Sequence, residues 1–223
     1  MEKQAPNPWV KIPLSAYESH MRQASVGQLQ AVNALMAAQF ALGPARTAMV
    51  LGVAGDNGLE HAAGHDFRKV YGVDVNRDYL RTCEVRYPDL NGTLECICAD
   101  LADAAVVLPR AELLIANLLI EYIGCECFRR IVRQVCPHCI SCVIQVDAEA
   151  DAGFVSDSPC RSVFDGLEAV HRRVDESGLV AGLHSAGYRR TGREEVPLPN
   201  GKKLVRLDFA VTDAAANGLR NEN

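Results

Sequence analysis

The chain has 223 residues, of which 48% are hydrophobic and 23% charged, so its length and composition predict a single globular domain with a sizeable core. Its net charge of −5 argues against a broad nucleic-acid-binding surface, which requires clustered lysine and arginine, so we expect no nucleic acid partner. No apolar run approaches the roughly 18 residues of a membrane span and the first residues lack the apolar core of a signal peptide, so we expect a cytoplasmic protein with no membrane association.

Residues 1–25 are expected to form a segment distinct from the domain that follows. Three prolines, Pro6, Pro8 and Pro13, discourage helix, which predicts an irregular backbone. Disordered tails are poor in apolar and aromatic residues, whereas this segment contains Trp9, Val10, Ile12, Leu14, Tyr17 and Met21. Because these side chains would be costly to leave in water, we expect residues 1–25 to lie against residues 26–213, a single domain, as a lid over the carboxyl-end face of the sheet. The alternative is that they pack on the flank of the first predicted helix, far from any ligand. Residues 214–223 are polar and are expected to be a flexible tail.

Strands and helices alternate through the centre of the chain. Apolar residues recur at helical spacing from Val26 to Phe40 and predict a helix that ends at Gly43-Pro44. The next predicted strands are residues 47–53, 69–75, 93–100, 111–119 and 140–146, and the next predicted helices are residues 58–66, 76–86 and 127–136. This alternation predicts a parallel sheet with helices on both faces, a three-layer, Rossmann-like α/β sandwich.

The last third of the chain changes to an antiparallel pattern. A helix is expected after Asp175, a preferred N-cap residue, with Gly187 just past its end. Residues 188–198 and 202–211 then flank Asn200-Gly201, a strong β-hairpin signal. We therefore predict a mostly parallel, seven-stranded sheet that ends in an antiparallel hairpin.

A glycine-rich turn follows the first predicted strand. Gly52, Gly55 and Gly58 are spaced three apart between a strand and a helix, an arrangement with which many folds hold a nucleotide. The spacing matches neither GxGxxG nor GxGxG, because Ala54 and Asp56 stand where glycine is expected. The turn alone is weak evidence, so the kind of nucleotide depends on the residues around it.

Two acidic residues end the strands that follow this turn. Asp74 ends the second predicted strand, sixteen residues after Gly58, where a carboxylate can accept hydrogen bonds from both ribose hydroxyls. Asp100 ends the third, where an acid could bind the amino group of adenine. The alternatives are that Asp74 caps the helix beginning near Asn76 and that Asp100 is a turn residue.

From about Ala48 to Ala210, this order of glycine turn, two acid-ended strands and terminal hairpin resembles the class I S-adenosylmethionine-dependent methyltransferases. The N-terminal sequence NPWVKIPLSAYESHM resembles the opening of small bacterial members of the type-11-like group. The resemblance implies S-adenosylmethionine as the cofactor and a small-molecule methyl acceptor, in a monomer or homodimer.

The resemblance also assigns residues to the cofactor. The positions that it implies are Tyr17, Met21, Gly52, Val53, Ala54, Asp56, Gly58, Asp74, Val75, Asp100, Leu101 and Asn117. The loop departs from the family pattern, since Gly52 stands where the family has an acid, and Ala54 and Asp56 replace two glycines. Asp56 could pair with the ammonium group of the cofactor; alternatively, the loop has decayed and no longer binds.

Three further residues are candidates for catalysis. Methyl transfer mainly requires an acceptor atom held in line with the methyl group, and a base is needed only where the acceptor must lose a proton. His20, in the segment that would cover the cofactor, is the candidate base, and Glu121 and Tyr122 follow the fourth predicted strand. The alternatives are that His20 is a structural histidine and that Glu121 and Tyr122 cap and pack the next helix.

The chain contains nine cysteines. The odd number and the lack of a secretion signal favour free thiols over disulfides. The spacing Cys136-x-x-Cys139-x-x-Cys142 is compatible with zinc or an iron–sulfur cluster. It also spans a turn into the fifth predicted strand, however, and no second pair of matching spacing accompanies it, so we expect no metal site.

Two other functions remain compatible with the sequence. The glycine spacing could serve the pyrophosphate of a nicotinamide cofactor, as in an NAD(P)-dependent oxidoreductase, although no Tyr-x-x-x-Lys pair is present and the terminal hairpin disfavours this function. The other is a non-catalytic S-adenosylmethionine-binding protein of the same fold.

Overall fold

The computed structural model describes residues 7–54, 57–146, 155–156 and 159–213. Its helices and strands, in chain order, are α1 (Leu14–Arg22), α2 (Gln28–Phe40), β1 (Thr47–Leu51), β2 (Lys69–Asp74), α3 (Arg77–Arg86), β3 (Leu94–Cys98), β4 (Leu113–Asn117), α4 (Ile120–Val135), β5 (Cys139–Val146), α5 (Glu176–Ser185), β6 (Tyr188–Pro197) and β7 (Lys203–Val211). Short 3₁₀ helices occupy Pro8–Lys11, Leu59–Gly64, Pro88–Leu90 and Arg161–Ala169.

The strands of the described chain form one seven-stranded sheet in the order β3-β2-β1-β4-β5-β7-β6. Strands β1 to β5 are parallel, and β7 pairs antiparallel with both β5 and β6. The predicted mostly parallel sheet with a terminal hairpin is therefore confirmed. The strand order changes direction between β1 and β4, which leaves a crevice beyond the carboxyl ends of these strands.

Apolar side chains on the two faces of the sheet form separate cores. In β4, Leu113 and Ile115 face a layer that includes α2 and α3, whereas Leu114 and Ala116 face α4 and α5. All four side chains are fully buried. This alternation is the two-residue period of a strand covered on both faces, and it confirms the predicted three-layer α/β sandwich.

The helix boundaries follow the local sequence signals. The Asp175 carboxylate accepts hydrogen bonds from the backbone N–H groups of Ser177 and Gly178, at 3.2 and 2.8 Å, and so caps α5 as predicted. Gly187, just past the end of this helix, has a φ of +91°. Within the described ranges, no helix combines the length and apolarity needed to cross a bilayer.

Three predicted elements differ from the structure, one of them only in extent, since the helix predicted at residues 127–136 begins at Ile120 and ends at Val135. Residues 1–25 were expected to be irregular, yet Leu14–Arg22 form α1. The prolines do not prevent this helix, because Pro13 occupies its N-cap position, where no helical N–H is lost. Residues 58–66 were expected to hold an α-helix, but Leu59–Gly64 form a 3₁₀ helix, the usual form of so short a turn between glycines. Residues 214–223, the predicted flexible tail, lie outside the described residues.

Gly58 allows the glycine turn to pack directly on α2. Its φ is +102°, and a Cβ atom built there would lie 2.7 Å from the sulfur and 2.8 Å from the Cβ of Met36. Met36 is itself buried in the core beneath α2. A side chain at position 58 therefore requires both a strained backbone and movement of a core helix.

We expect Gly58→Ala to lower the free energy of unfolding by roughly 2–4 kcal/mol, since strain and overpacking add. Gly64→Ala is the matched control, because a Cβ atom there would have no heavy atom within 4 Å. Chemical denaturation of both variants measures the effect. Equal unfolding midpoints for the two variants would show that the contact with Met36 is unimportant.

Candidate functional site

A cavity of about 350 Å³ lies beyond the carboxyl ends of the central parallel strands, where the strand order changes direction. The segments that follow four strands line it: Gly52 and Ala54 after β1, Asp74 and Val75 at β2, residues 99–102 after β3, and residues 117–119 at the end of β4. Open α/β sheets bind ligands at this place, and small-molecule sites occupy roughly 300–1,000 Å³. We call this the large cavity.

Asp74 is the buried acidic group of the large cavity, with 7% of its surface exposed. Its two carboxylate oxygens accept hydrogen bonds from the backbone N–H groups of Ala54, at 2.9 Å, and Asn76, at 2.8 Å. Burial raises the pKa of Asp74, an effect that these backbone hydrogen bonds partly oppose. Each carboxylate oxygen can accept a second hydrogen bond, so Asp74 retains capacity for a ligand hydroxyl.

The glycine turn contributes backbone rather than side chains to the large cavity. The N–H of Gly52 donates to the Val73 carbonyl at 2.8 Å, and a Cβ atom on Gly52 would lie 3.0 Å from Leu119. Ala54 has a φ of +44°, an uncommon value for a residue other than glycine. Such strain at the wall of a cavity is characteristic of binding sites.

Two described residues assigned to this turn, Val53 and Gly58, do not line the large cavity. Val53 is buried in the core beneath α2, and Gly58 lies against Met36 of the same layer. Asp56 lies outside the described residues.

Asp100 and Leu101 lie on the loop after β3. The Asp100 carboxylate accepts a hydrogen bond from the Asn7 side chain, at 3.2 Å, and one from the backbone N–H of Ala102, at 3.0 Å. Arg130 of α4 donates to the Leu101 carbonyl at 2.7 Å. The loop is therefore tied both to the N-terminal segment and to α4.

Asn117 lines the large cavity, but its amide group is engaged elsewhere. It exchanges two hydrogen bonds with the Gln39 amide of α2, at 2.9 and 2.8 Å. Gln39 also donates to Ser141, which donates to Asp208 at 2.6 Å. Sequence reasoning missed this buried polar chain, because Gln39 stands among apolar residues with no motif to mark it.

Asn7, Pro8, Trp9 and Tyr17 of the N-terminal segment line the large cavity. Asn76 both caps α3, by accepting from Asp78 N–H, and donates from its side chain to the carbonyls of Trp9, at 3.0 Å, and Ile12, at 3.3 Å. The Tyr79 hydroxyl also donates to the Ile12 carbonyl, at 2.9 Å. The roles of Asn76 and Tyr79 were not predicted, although the preference of asparagine for N-cap positions was a usable signal.

A smaller cavity, of about 60 Å³, adjoins the large one. Both are lined by Trp9, Tyr17, Leu118 and Tyr122. Trp9 packs edge-on against the other two rings, with centroid distances of 5.8 Å to Tyr17 and 5.0 Å to Tyr122. We call these three rings the aromatic wall. Leu118 has a φ of +52°, so the backbone turns sharply where the two cavities meet.

The structure brings the three candidate catalytic residues together around the small cavity, which His20, Glu121 and Tyr122 all line. Burial, together with the positive charge of Lys202, lowers the pKa of His20, which favours a neutral imidazole. Burial, reinforced by the negative charge of Glu121, raises the pKa of Tyr122. Met21, which was assigned to the cofactor, lines the small cavity and not the large one.

Glu121 and Tyr122 belong to the first turn of α4, which is set apart from the rest of the helix. Gly124 interrupts the helix with a φ of +79° and a ψ of 157°, a conformation confined to glycine. One Glu121 carboxylate oxygen accepts a hydrogen bond from the Gln145 N–H of β5, at 2.8 Å. The turn is therefore held by the sheet as well as by the helix.

The cysteine cluster, which comprises Cys136, Cys139 and Cys142, lines neither cavity. Cys136 ends α4, Cys139 begins β5, and Cys142 is buried in β5, where burial raises the pKa of its thiol. In the part of the chain that the structure describes, no group of three or more His, Cys, Asp and Glu side chains is placed to hold a metal ion. That this cluster binds no metal remains a prediction.

Comparison with known proteins finds likeness in structure alone. No protein-family model and no curated protein match the sequence. The N-methyltransferase NodS from Bradyrhizobium japonicum WM9, solved with S-adenosylhomocysteine, matches with a TM-score of 0.63 and 11% identity over 90% of this chain and 98% of that one. Magnesium protoporphyrin IX methyltransferase from Synechocystis PCC 6803, also with S-adenosylhomocysteine, matches with a TM-score of 0.62 and 10% identity over 89% and 94%.

A third solved structure with a similar fold belongs to an enzyme named for a different reaction. The [4+2]-cyclase SpnF matches with a TM-score of 0.62 and 11% identity over 85% of this chain and 83% of that one. Because one fold can serve different reactions, these matches establish architecture. The chain has the fold of the class I S-adenosylmethionine-dependent methyltransferases.

Proposed function

We propose that the protein is an S-adenosylmethionine-dependent methyltransferase that acts on a small-molecule acceptor. The observation that carries the proposal is the pairing of the two cavities. The large cavity has an acid at each of two strand ends, Asp74 and Asp100, and it meets the small cavity at the aromatic wall. This arrangement supplies separate places for a nucleoside cofactor and for an acceptor.

The residues of the large cavity suit S-adenosylmethionine. The Asp74 carboxylate would accept hydrogen bonds from the ribose hydroxyls, and Asp100 with Leu101 would contact the adenine. Gly52 and Ala54 offer a close backbone approach to the rest of the molecule. When bound, the cofactor supplies a methyl group attached to a positively charged sulfur.

The protein's own contribution is alignment and the exclusion of water. Leu118 and the aromatic wall lie between the two cavities, where they would hold an acceptor atom in line with the methyl group. A neutral His20 would accept a proton from acceptors that must lose one. Methyl transfer therefore needs no metal or nucleophilic side chain in this site.

We propose in addition that residues 1–25 act as a lid. In support, residues 7–9 line the large cavity, and hydrogen bonds attach residues 7–12 to Asn76, Tyr79 and Asp100. Ile12 packs with Phe164 and Leu167 of the 3₁₀ helix Arg161–Ala169, other residues of which line the same cavity. Opening of these contacts would admit a cofactor of nucleoside size, and their closure would exclude water.

We expect Asp74→Ala to weaken S-adenosylmethionine binding roughly 10- to 100-fold, as the loss of a charged hydrogen-bond acceptor costs about 1.5–3 kcal/mol. Calorimetric titration with S-adenosylmethionine, and with NAD as the competing nucleotide, measures this. Asp78→Ala is the control, because that carboxylate is 83% exposed and pairs with Arg81 on the surface of α3. Unchanged affinity in Asp74→Ala would remove Asp74 from the site.

Thermal unfolding must accompany this titration, because Asp74 also accepts from Ala54 and Asn76. Methyl transfer to a panel of small metabolites then distinguishes an enzyme from a non-catalytic binding protein. Tight S-adenosylmethionine binding without transfer to any acceptor would favour the second.

We expect Tyr79→Phe to loosen the lid, since it removes the hydroxyl that donates to Ile12 but keeps the ring. Affinity for S-adenosylmethionine should fall about fivefold, equivalent to roughly 1 kcal/mol, and proteolysis within residues 1–25 should accelerate. Tyr87→Phe is the control, because its hydroxyl donates to the exposed Glu60. Identical proteolysis and affinity in the two variants would contradict the lid.

A further inference from the structure

We propose that the methyl acceptor is an amine, bound as a small cationic head group between the aromatic wall and Glu121. This inference rests on the proposed function and names its acceptor class. The small cavity is lined by the aromatic wall, by Phe164 and by one buried carboxylate side chain, that of Glu121, a residue that is 4% exposed. Aromatic faces attract cations, and a carboxylate neutralises them.

The aromatic rings that line the small cavity can contribute to binding a cation. Trp9 lies at 74° to Tyr17 and at 90° to Tyr122, so the three rings face in different directions around the junction of the cavities. Tyr122 also packs against His171, at 5.6 Å, which extends the aromatic lining. Because Trp9 is in edge contact with both tyrosines, no ligand fits between the rings, and an ammonium group would contact the aromatic wall from the small cavity that it lines.

The charged residues around the small cavity also favour a cationic acceptor. In the described part of the chain, its lining includes Glu121 but no lysine or arginine. Lys202 is close enough to lower the pKa of His20 but does not line the cavity. A carboxylate acceptor would meet Glu121 as a like charge, whereas an ammonium group would meet it as a counter-ion. A volume of about 60 Å³ admits a head group of a few heavy atoms.

These residues account for the proton and the electron pairs that move in the transfer step. The ammonium group loses one proton to the neutral His20, and its lone pair forms the new N–C bond. The S–C bond of the methyl donor breaks, and its electron pair stays on sulfur. The products are S-adenosylhomocysteine, a methylated ammonium ion that Glu121 and the aromatic wall continue to stabilise, and one proton, which His20 passes to water.

Trp9 provides a readout that does not depend on turnover, because it is the chain's only tryptophan. The experiment titrates the full chain, saturated with S-adenosylhomocysteine, with ethylamine, benzylamine and 2-phenylethylamine. The matching alcohols and carboxylates are titrated in parallel, and each compound is also tested for transfer of a radiolabelled methyl group. We expect a saturable change in Trp9 fluorescence, and methyl transfer, with amines alone.

Variants test whether the aromatic wall and Glu121 bind the amine. Glu121→Gln should weaken amine binding at least tenfold, whereas Glu126→Gln, on an 84% exposed side chain of the same helix, should leave it unchanged. If Glu121→Gln does not fold, Tyr122→Leu replaces it, with Tyr122→Phe as the control that keeps the ring. Melting temperature and S-adenosylhomocysteine affinity, measured for every variant, show that the fold and the large cavity are intact.

The outcomes separate this inference from the proposed function. If the protein binds S-adenosylhomocysteine but responds to alcohols or carboxylates as well as to amines, or to no amine, the acceptor class is wrong and the methyltransferase proposal stands. Equal amine binding by Glu121→Gln and Glu126→Gln would also overturn it. If S-adenosylhomocysteine does not bind the unmodified protein, the proposed function itself fails.

Discussion

The arrangement of the site depends on the hydrogen bonds that converge on the end of β2. Asp74 accepts one from the turn after β1 and one from Asn76 at the start of α3. Asn76 in turn donates hydrogen bonds to the carbonyls of Trp9 and Ile12. Two polar side chains, two residues apart, thus connect three parts of the chain that are far apart in sequence. The sheet positions them, since β2 is paired on both sides and cannot shift its register without moving apolar side chains out of the cores.

Burying the Asp74 carboxylate costs free energy in the free protein, and a bound ligand can offset that cost. A raised pKa means that the folded chain binds a proton at Asp74 more readily than the unfolded chain does. The stability that this group contributes is therefore greatest at low pH and is lost as the pH rises through the folded-state pKa. At a pH above the folded-state pKa, the ionised carboxylate is a net cost to the free protein, reduced by its backbone donors. Hydroxyl groups of a bound ribose would reduce that cost further.

The sequence predicted those features that follow from local pattern. Alternating apolar strands gave the layers, Asn200-Gly201 gave the hairpin, and Asp74 and Asp100 marked the strand ends that line the cavity. What it could not predict depends on tertiary packing. The direction of Asn117 is set by Gln39 on another element, and Gly58 is needed because Met36 lies against it. The α1 helix buries His20 and Met21 against the rest of the protein. The prolines in the sequence do not reveal this burial, which favours the helix.

The break at Gly124 has a consequence for how such a protein diversifies. It divides α4 into a short turn that faces the small cavity and a longer section whose apolar face covers the sheet. Substitutions in the turn alter the shape and charge offered to an acceptor, while Phe128, Ile131 and Val135 keep the core packed. Selection can therefore change acceptor contacts at positions of the turn such as Tyr122 without altering the helix section that covers the sheet. The buried Ile120 and Glu121 of the same turn are more constrained, since they also pack against the domain.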